Sequence, residues 1–132
     1  MPITVNWDND AKTVIRYDFE GHWNWDEFRT AANEAFAFTR SVQHRVDSIS
    51  YFRTGTNVPS DALFQFNRIM KTAPQNRGTT VIVGGSMFIN NLVSIFSKIY
   101  KPLGQRLRLA TTLNEARDLL SAGEYKASKI EQ

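Results

Sequence analysis

The chain contains no cysteine, which removes thiol nucleophiles, thiolate metal sites and disulfide staples together and fits a reducing cytoplasm. Its opening, MPITVNWDND, lacks a basic segment followed by an apolar one, so no secretory signal is expected. Residues 78–97 carry no charge, but Gly84, Gly85, Ser86, Asn90 and Asn91 interrupt the apolar run, and a buried strand plus helix is the better reading than a membrane span. Internal repeats and low-complexity segments are missing. Histidine is scarce: His22 and His44 are the only two, and neither has an evident nucleophile beside it in sequence. No carboxylates recur at helical spacing in an apolar setting that would shift their pKa. Catalysis, a metal site and a cofactor are therefore not expected.

What is present is enough for one domain. At 132 residues the chain can bury about two-thirds of its unfolded surface without a staple. The expected boundaries are one domain over 1–123 and a polar tail over 124–132. The net charge of +3 is small, but its distribution is uneven: residues 1–67 hold 6 Lys/Arg against 9 Asp/Glu, and residues 68–132 hold 10 against 4. Arg77, Lys98, Lys101, Arg106 and Arg108 are candidates for a basic edge facing an acidic partner or a phosphate. They lack interleaved exposed aromatics and a recognition-helix pattern, so nucleic acid is not expected as a partner.

The chain is organised around Thr79–Tyr100, TTVIVGGSMFINNLVSIFSKIY. The uncharged β-branched run Thr79–Val83 suits a strand covered on both faces. Gly84 and Gly85 break it, and Ser86 is a natural N-cap for the following helix. In that helix Phe88, Ile89, Leu92, Ile95, Phe96, Ile99 and Tyr100 share one side, with Val93 at the margin.

Around this unit the other elements follow in order. Ile3–Trp7 and Thr13–Phe19 read as a hairpin turning at Asp8-Asn9-Asp10. Asn24 and Glu27 form a capping box, Trp23 staples onto Phe28, and Phe28, Ala32, Ala35, Thr39 and Val42 give the inward stripe of a helix. Val46–Phe52 is a strand with Ser48 and Ser50 on one face, whose hydroxyls are expected to bond to nearby backbone. Ser60 or Asp61 opens a helix with Leu63, Phe66, Met70 and Ala73 inward, ended by Pro74. Leu107–Ala110 is a last strand, and Thr112 with Glu115 caps a helix that stops at Gly123. The order β, β, α, β, α, β, α, β, α predicts an α/β fold: an N-terminal hairpin, then βα repeats forming a mainly parallel sheet packed with helices.

Val46–Leu63, then TTVIVGG with its amphipathic helix, then RLRLATTLNEARDLL together resemble the STAS domain, the fold of bacterial anti-sigma factor antagonists and of sulphate transporter tails. The chain is also similar to small bacterial STAS-like proteins grouped with CRAL-TRIO lipid-transfer domains. The resemblance implies a cytoplasmic regulatory module acting through protein–protein contacts. It also implies a switch at an Asp-Ser-Ser-Gly-Leu turn, where the first serine is phosphorylated. Setting Leu63 on that leucine places Ala62 on the glycine, Asp61 on the second serine, Ser60 on the phosphorylated serine and Pro59 on the aspartate. Ser60 and Asp61 are thus the regulatory candidates, with Asp61 as a fixed charge beside the retained hydroxyl. Their structural alternative is simple helix capping.

A second class of function is small-molecule or lipid binding, with Gly84, Gly85 and Ser86 presenting free amides at a helix N-terminus and the apolar helix 86–100 lining a pocket. A homodimer through exposed aromatics among Trp7, Phe38 and Phe64 is the remaining partner expectation.

Overall fold

The computed structural model describes residues 2–85, 87–99 and 106–131, with the side chains of 87, 88, 96, 97 and 123–131 outside the description. Among the described residues it is an α/β fold. Strands β1 (Ile3–Trp7), β2 (Val14–Phe19), β3 (Val46–Phe52), β4 (Arg77–Gly84) and β5 (Leu107–Ala110) alternate with helices α1 (Trp25–Arg40), α2 (Ala62–Met70), α3 (Met87–Ile99) and α4 (Leu113–Glu131). The strands form one sheet in the order β1-β2-β3-β4-β5. β1 is antiparallel to β2, and every later pair is parallel. The hairpin and the mainly parallel sheet are thus as the sequence predicts.

Alternation along the strands sorts the core into two layers. Ile3, Val5, Ile15, Tyr17, Phe19 and Val46 pack with α1 and with Ile69 and Met70 of α2. Val14, Ile49, Val81, Val83 and Ala110 pack on the other face with Ala116 and Leu120 of α4. Since each of α1, α2 and α3 links one parallel strand to the next in the same direction across the sheet, all three cover one face and leave the other to α4.

Local chemistry explains most boundaries. Asn24 accepts from the Glu27 amide at 2.8 Å while Glu27 accepts from the Asn24 amide at 3.1 Å, the expected capping box, and Trp23 lies 5.9 Å from Phe28. The inward stripe of α1 is wider than predicted, adding Ala31 and Phe36, and Val42 falls beyond the helix end. β4 begins two residues earlier than expected, at Arg77. At Gly84 and Gly85 φ is +80° and +89°, which a side chain resists. A Cβ there would meet the Phe52 carbonyl oxygen at 2.5 Å or Ile89 Cδ1 at 2.6 Å.

Four expectations are corrected. α2 ends at Met70 rather than at Pro74, because the chain tightens into turns in which Thr72 and Ala73 donate to Ile69 and Met70. α4 runs on through Gly123 instead of stopping there, a placement that costs about 1 kcal/mol against alanine but does not forbid a helix. Thr112 does cap the Glu115 amide at 3.1 Å, yet the Glu115 carboxylate reaches Thr111, not Thr112. Ile95 and Ile99, assigned to the inner side of α3, are 43% and 61% exposed. The apolar arc of α3 is wider than the strip of neighbours available to cover it. The predicted N-cap Ser86 and the inward residue Tyr100 lie outside the described residues.

Candidate functional site

The face covered by α2 and α3 is incompletely filled. A cavity of about 100 Å³ lies there, open on one side. Its aromatic wall is Phe19, Trp23, Trp25, Phe28, Phe52 and Phe66, brought together by the ends of β2 and β3, the start of α1 and the middle of α2. Ile89, Leu92 and Val93 of α3 close the aliphatic side. The floor is the sheet, where small polar side chains, Ser50 and Thr80, occupy positions that a larger residue would fill. Among the described residues no charged side chain lines the space.

The aromatic wall is tightly ordered. Phe19 stacks on Phe52 with centroids 4.3 Å apart, and Trp23 meets Trp25 edge to face at 5.0 Å. The two indoles differ in their polar edges. Trp25 Nε1 donates to the Ser60 carbonyl at 2.8 Å, whereas Trp23 Nε1 is buried without a partner among the described residues. Through Trp25 the wall is tied to the segment before α2, in which Val58 lines the cavity, as do Ala62 and Leu63 at the start of α2, while Ser60 and Asp61 are exposed.

The regulatory candidates therefore sit on the outer side of the cavity's rim. Asp61 occupies the N-cap position of α2 but makes no side-chain cap bond, and its φ of +67° is left-handed. The capping alternative fails for Asp61, because that backbone conformation directs the carboxylate away from the first-turn amides. Gly84 and Gly85 are exposed, and their positive φ accounts for both, with the Phe52 backbone against Gly84 and the Ile89 side chain against Gly85. Ser86 lies outside the described residues. The glycine turn and the cavity are linked by Ile89, which touches the space above Gly85 and also lines the cavity.

The two strand serines do not bond to nearby backbone as expected. Ser48 Oγ pairs with Thr80 Oγ1 across the strands at 2.8 Å, and Ser50 faces the cavity. The basic residues do not form a single edge. Arg77 lines a second, 20 Å³ cavity with Tyr17, Ser48 and Met70. Arg108 is in register with Val81, which belongs to the opposite face. Burial, then the nearby Arg106, lowers the Arg77 pKa to about 10, while Tyr17 opposes that shift. Burial pushes the Tyr17 hydroxyl well up, against the pull of Arg77. A cavity of that size, mostly apolar but with Tyr17, Ser48 and Arg77 in its lining, has room for one water. Lys98 is exposed, and Lys101 lies outside the described residues.

His22 Nδ1 lies 3.3 Å from Asn57 Nδ2, and His44 Nε2 lies 2.8 Å from the Lys12 carbonyl. Among the described residues no three His, Asp or Glu side chains gather as a metal site, and no helix is long and apolar enough to cross a membrane. Of the aromatics expected to supply a dimer patch, Trp7 and Phe38 stack on each other at 5.6 Å against the core, and only Phe64, 53% exposed, is available.

Reasoning from the sequence reached α3 as a cavity wall but missed Trp23, Trp25, Ser50 and Thr80. Their signals were present in the aromatic density of GHWNWDEF just past β2 and in the alternate small residues of VDSIS. No protein-family model and no curated protein matches the chain.

Proposed function

We propose that this chain is a non-catalytic binding module that holds a small apolar molecule in the cavity beneath α2 and α3. The observation that carries the reading is the cavity's composition: aromatic and aliphatic walls over a sheet floor in which Ser50 and Thr80 sit beside Ile82 and Leu107, an almost wholly apolar lining. Protein interiors are close-packed, and side chains lining an unfilled space forfeit dispersion contacts. A concave apolar site with a few polar groups is the usual form of a ligand pocket. Native mass spectrometry of protein gently purified from its own cells tests the reading. A reproducible small-molecule mass on the wild type, absent from Ser50→Leu isolated in the same way, is the expected result. Bare protein in both cases, with no thermal shift on adding small aromatic probes, would overturn it.

A second reading, protein recognition at the Ser60–Asp61 turn, is supported by the exposure of both residues and by the Asp61 carboxylate having no capping bond. It is the activity that the STAS resemblance implies, with Asp61 supplying a constant negative charge. A partner held by the wild type and released by Asp61→Ser is expected. Retention of that partner by the variant counts against the reading.

A further inference from the structure

We infer that Arg77 and Arg106 together form a binding site for a phosphate group, free or at the end of a small phosphomonoester. The site is separate from the apolar cavity described above, with which the small space beside Arg77 shares no lining residue.

Arg77 stands apart from the other arginines. Arg16, Arg29, Arg45, Arg53 and Arg117 each lie against a carboxylate. Among the described residues the Arg77 guanidinium has neither a hydrogen bond nor an ion pair, although the residue is half-buried at the start of β4. A guanidinium keeps its proton at neutral pH, and a charge drawn out of water is ordinarily paired. The nitrogens of Arg77 are also within reach. Among the described residues the buried side-chain atoms without a partner belong to Asp18, Trp23 and Asp47, so the unbonded N–H groups of Arg77 keep accessible surface.

A second cation is brought to the same place. Arg106 is exposed, and its Nη1 donates to the Arg77 carbonyl at 3.0 Å. Burial, then Arg106, lowers the Arg77 pKa to about 10, opposed by Tyr17. No carboxylate enters that balance. The Tyr17 hydroxyl, kept protonated by burial, is a third donor beside the two guanidinium groups.

The surroundings do not supply the anion. Asp47 lines the same small cavity as Arg77, but its Oδ1 is engaged by Arg45 Nε and by the Thr79 amide. Residues 100–105, outside the described residues and immediately before Arg106, read YKPLGQ and contain one Lys and no Asp or Glu. The donors select the ligand. Two planar guanidinium forks match an anion with several oxygens, and a phosphate dianion gains most from two adjacent positive charges. The cavity beside Arg77, about 20 Å³, holds one water. The phosphate therefore sits outside it, against the two guanidinium groups, with any ester substituent in solvent.

Inorganic phosphate is titrated into nitrogen-15-labelled protein at neutral pH and constant ionic strength, with sodium chloride as the matched control. The Nε–H signals of Arg77 and Arg106 are assigned using Arg77→Lys and Arg106→Gln. Phosphate should move both signals and the Gly78 amide along one saturating curve, and chloride should not. Arg106→Gln should weaken phosphate roughly tenfold, the lower end for a hydrogen bond to a charged group. Arg68→Gln, on α2, should change it by less than about twofold. Phenyl phosphate separates the two sources. Binding at least as tight as that of inorganic phosphate assigns the site to a monoester, and much weaker binding assigns it to the free ion; both support a phosphate site. Shifts that do not saturate, that chloride reproduces, or that Arg68→Gln weakens as much as Arg106→Gln does would show general screening of a basic surface and overturn the inference. Saturation is read on the wild type, and Arg106 is exposed, so the test survives a failure of Arg77→Lys to fold.

Discussion

Arg117 of α4 closes two hydrogen bonds of 2.9 Å onto the carboxylate of Asp8, a residue 109 positions earlier, at the end of β1. The Asp8 side chain is 3% exposed and also accepts from Arg16 at 3.2 Å. A two-pronged guanidinium on a nearly buried carboxylate is among the stronger polar contacts available to a protein. It fastens the last helix to the first hairpin on the sheet face that α4 covers, and it holds the Arg117 pKa above its ordinary value.

Arg117→Ala is therefore expected to destabilise the fold by about 1–2 kcal/mol, since Arg16 still partners the carboxylate. Asp8→Ala should cost about 2–3 kcal/mol, because Arg117 then loses its carboxylate and Arg16 keeps only Asp18. Urea unfolding measures both. Equal losses would mean that the Arg16 contact contributes nothing.

Gly78 is required by its neighbour across the sheet. Asp47 is fully buried, and its Oδ1 accepts from the Thr79 amide at 2.7 Å and from Arg45 Nε at 2.9 Å. A Cβ on Gly78 would collide with both Asp47 Oδ1 and Arg45 Nε. Gly78→Ala is expected to cost about 2–3 kcal/mol by overpacking. Combining it with Asp47→Ala should cost less than the sum of the two single changes, because the clash with the carboxylate goes and Arg45, no longer held by it, is free to give way. A double-mutant cycle in urea decides, and simple additivity would count against this account.

The order of elements, the hairpin and the α1 start were legible in the sequence because each depends on contacts within a few residues. Asn24, Glu27, Trp23 and Phe28 lie within six positions of one another, so their geometry follows from helix periodicity alone. The cavity was not legible in the same way. Its walls come from β2, β3, β4, α1, α2 and α3, and a space is defined only by what fails to fill it. Trp23 reads as a staple residue from sequence and is one, as its contact with Phe28 shows. Nothing local reveals that its N–H goes unpaired. Periodicity also placed Ile95 and Ile99 inside, since an apolar arc in sequence does not state how much of it the neighbouring elements cover.

Asp61 offers a test of backbone strain. A non-glycine residue at φ +67° adopts a conformation that costs an L-residue about 1–2 kcal/mol, less for Asp. With no cap bond to lose, Asp61→Gly should stabilise the protein by up to about 1 kcal/mol, part of the gain being offset by the freer unfolded chain. A residue that worked as a cap would instead lose a few tenths of a kcal/mol on the same change. The direction of the thermal shift separates the two.

The start of α4 has a pH dependence whose sign can be worked out. The Glu115 carboxylate accepts from Thr111 Oγ1 at 2.6 Å and from the Thr111 amide at 3.1 Å. The side-chain bond, then the backbone bond, holds its pKa below the ordinary 4.5. A carboxyl group depressed in the folded state contributes its stability in full above the unfolded-chain value. That contribution fades as the pH falls from about 4.5 through the lower folded value. The first turn of α4 should therefore loosen only under acid conditions, and Glu115 should titrate below 4.5 in carboxyl-detected NMR. Thr111→Val keeps the backbone bond and removes the stronger one, so it should raise the midpoint part of the way and leave neighbouring carboxylates unmoved. A midpoint unchanged by Thr111→Val would show that the hydroxyl does not hold this carboxylate in solution.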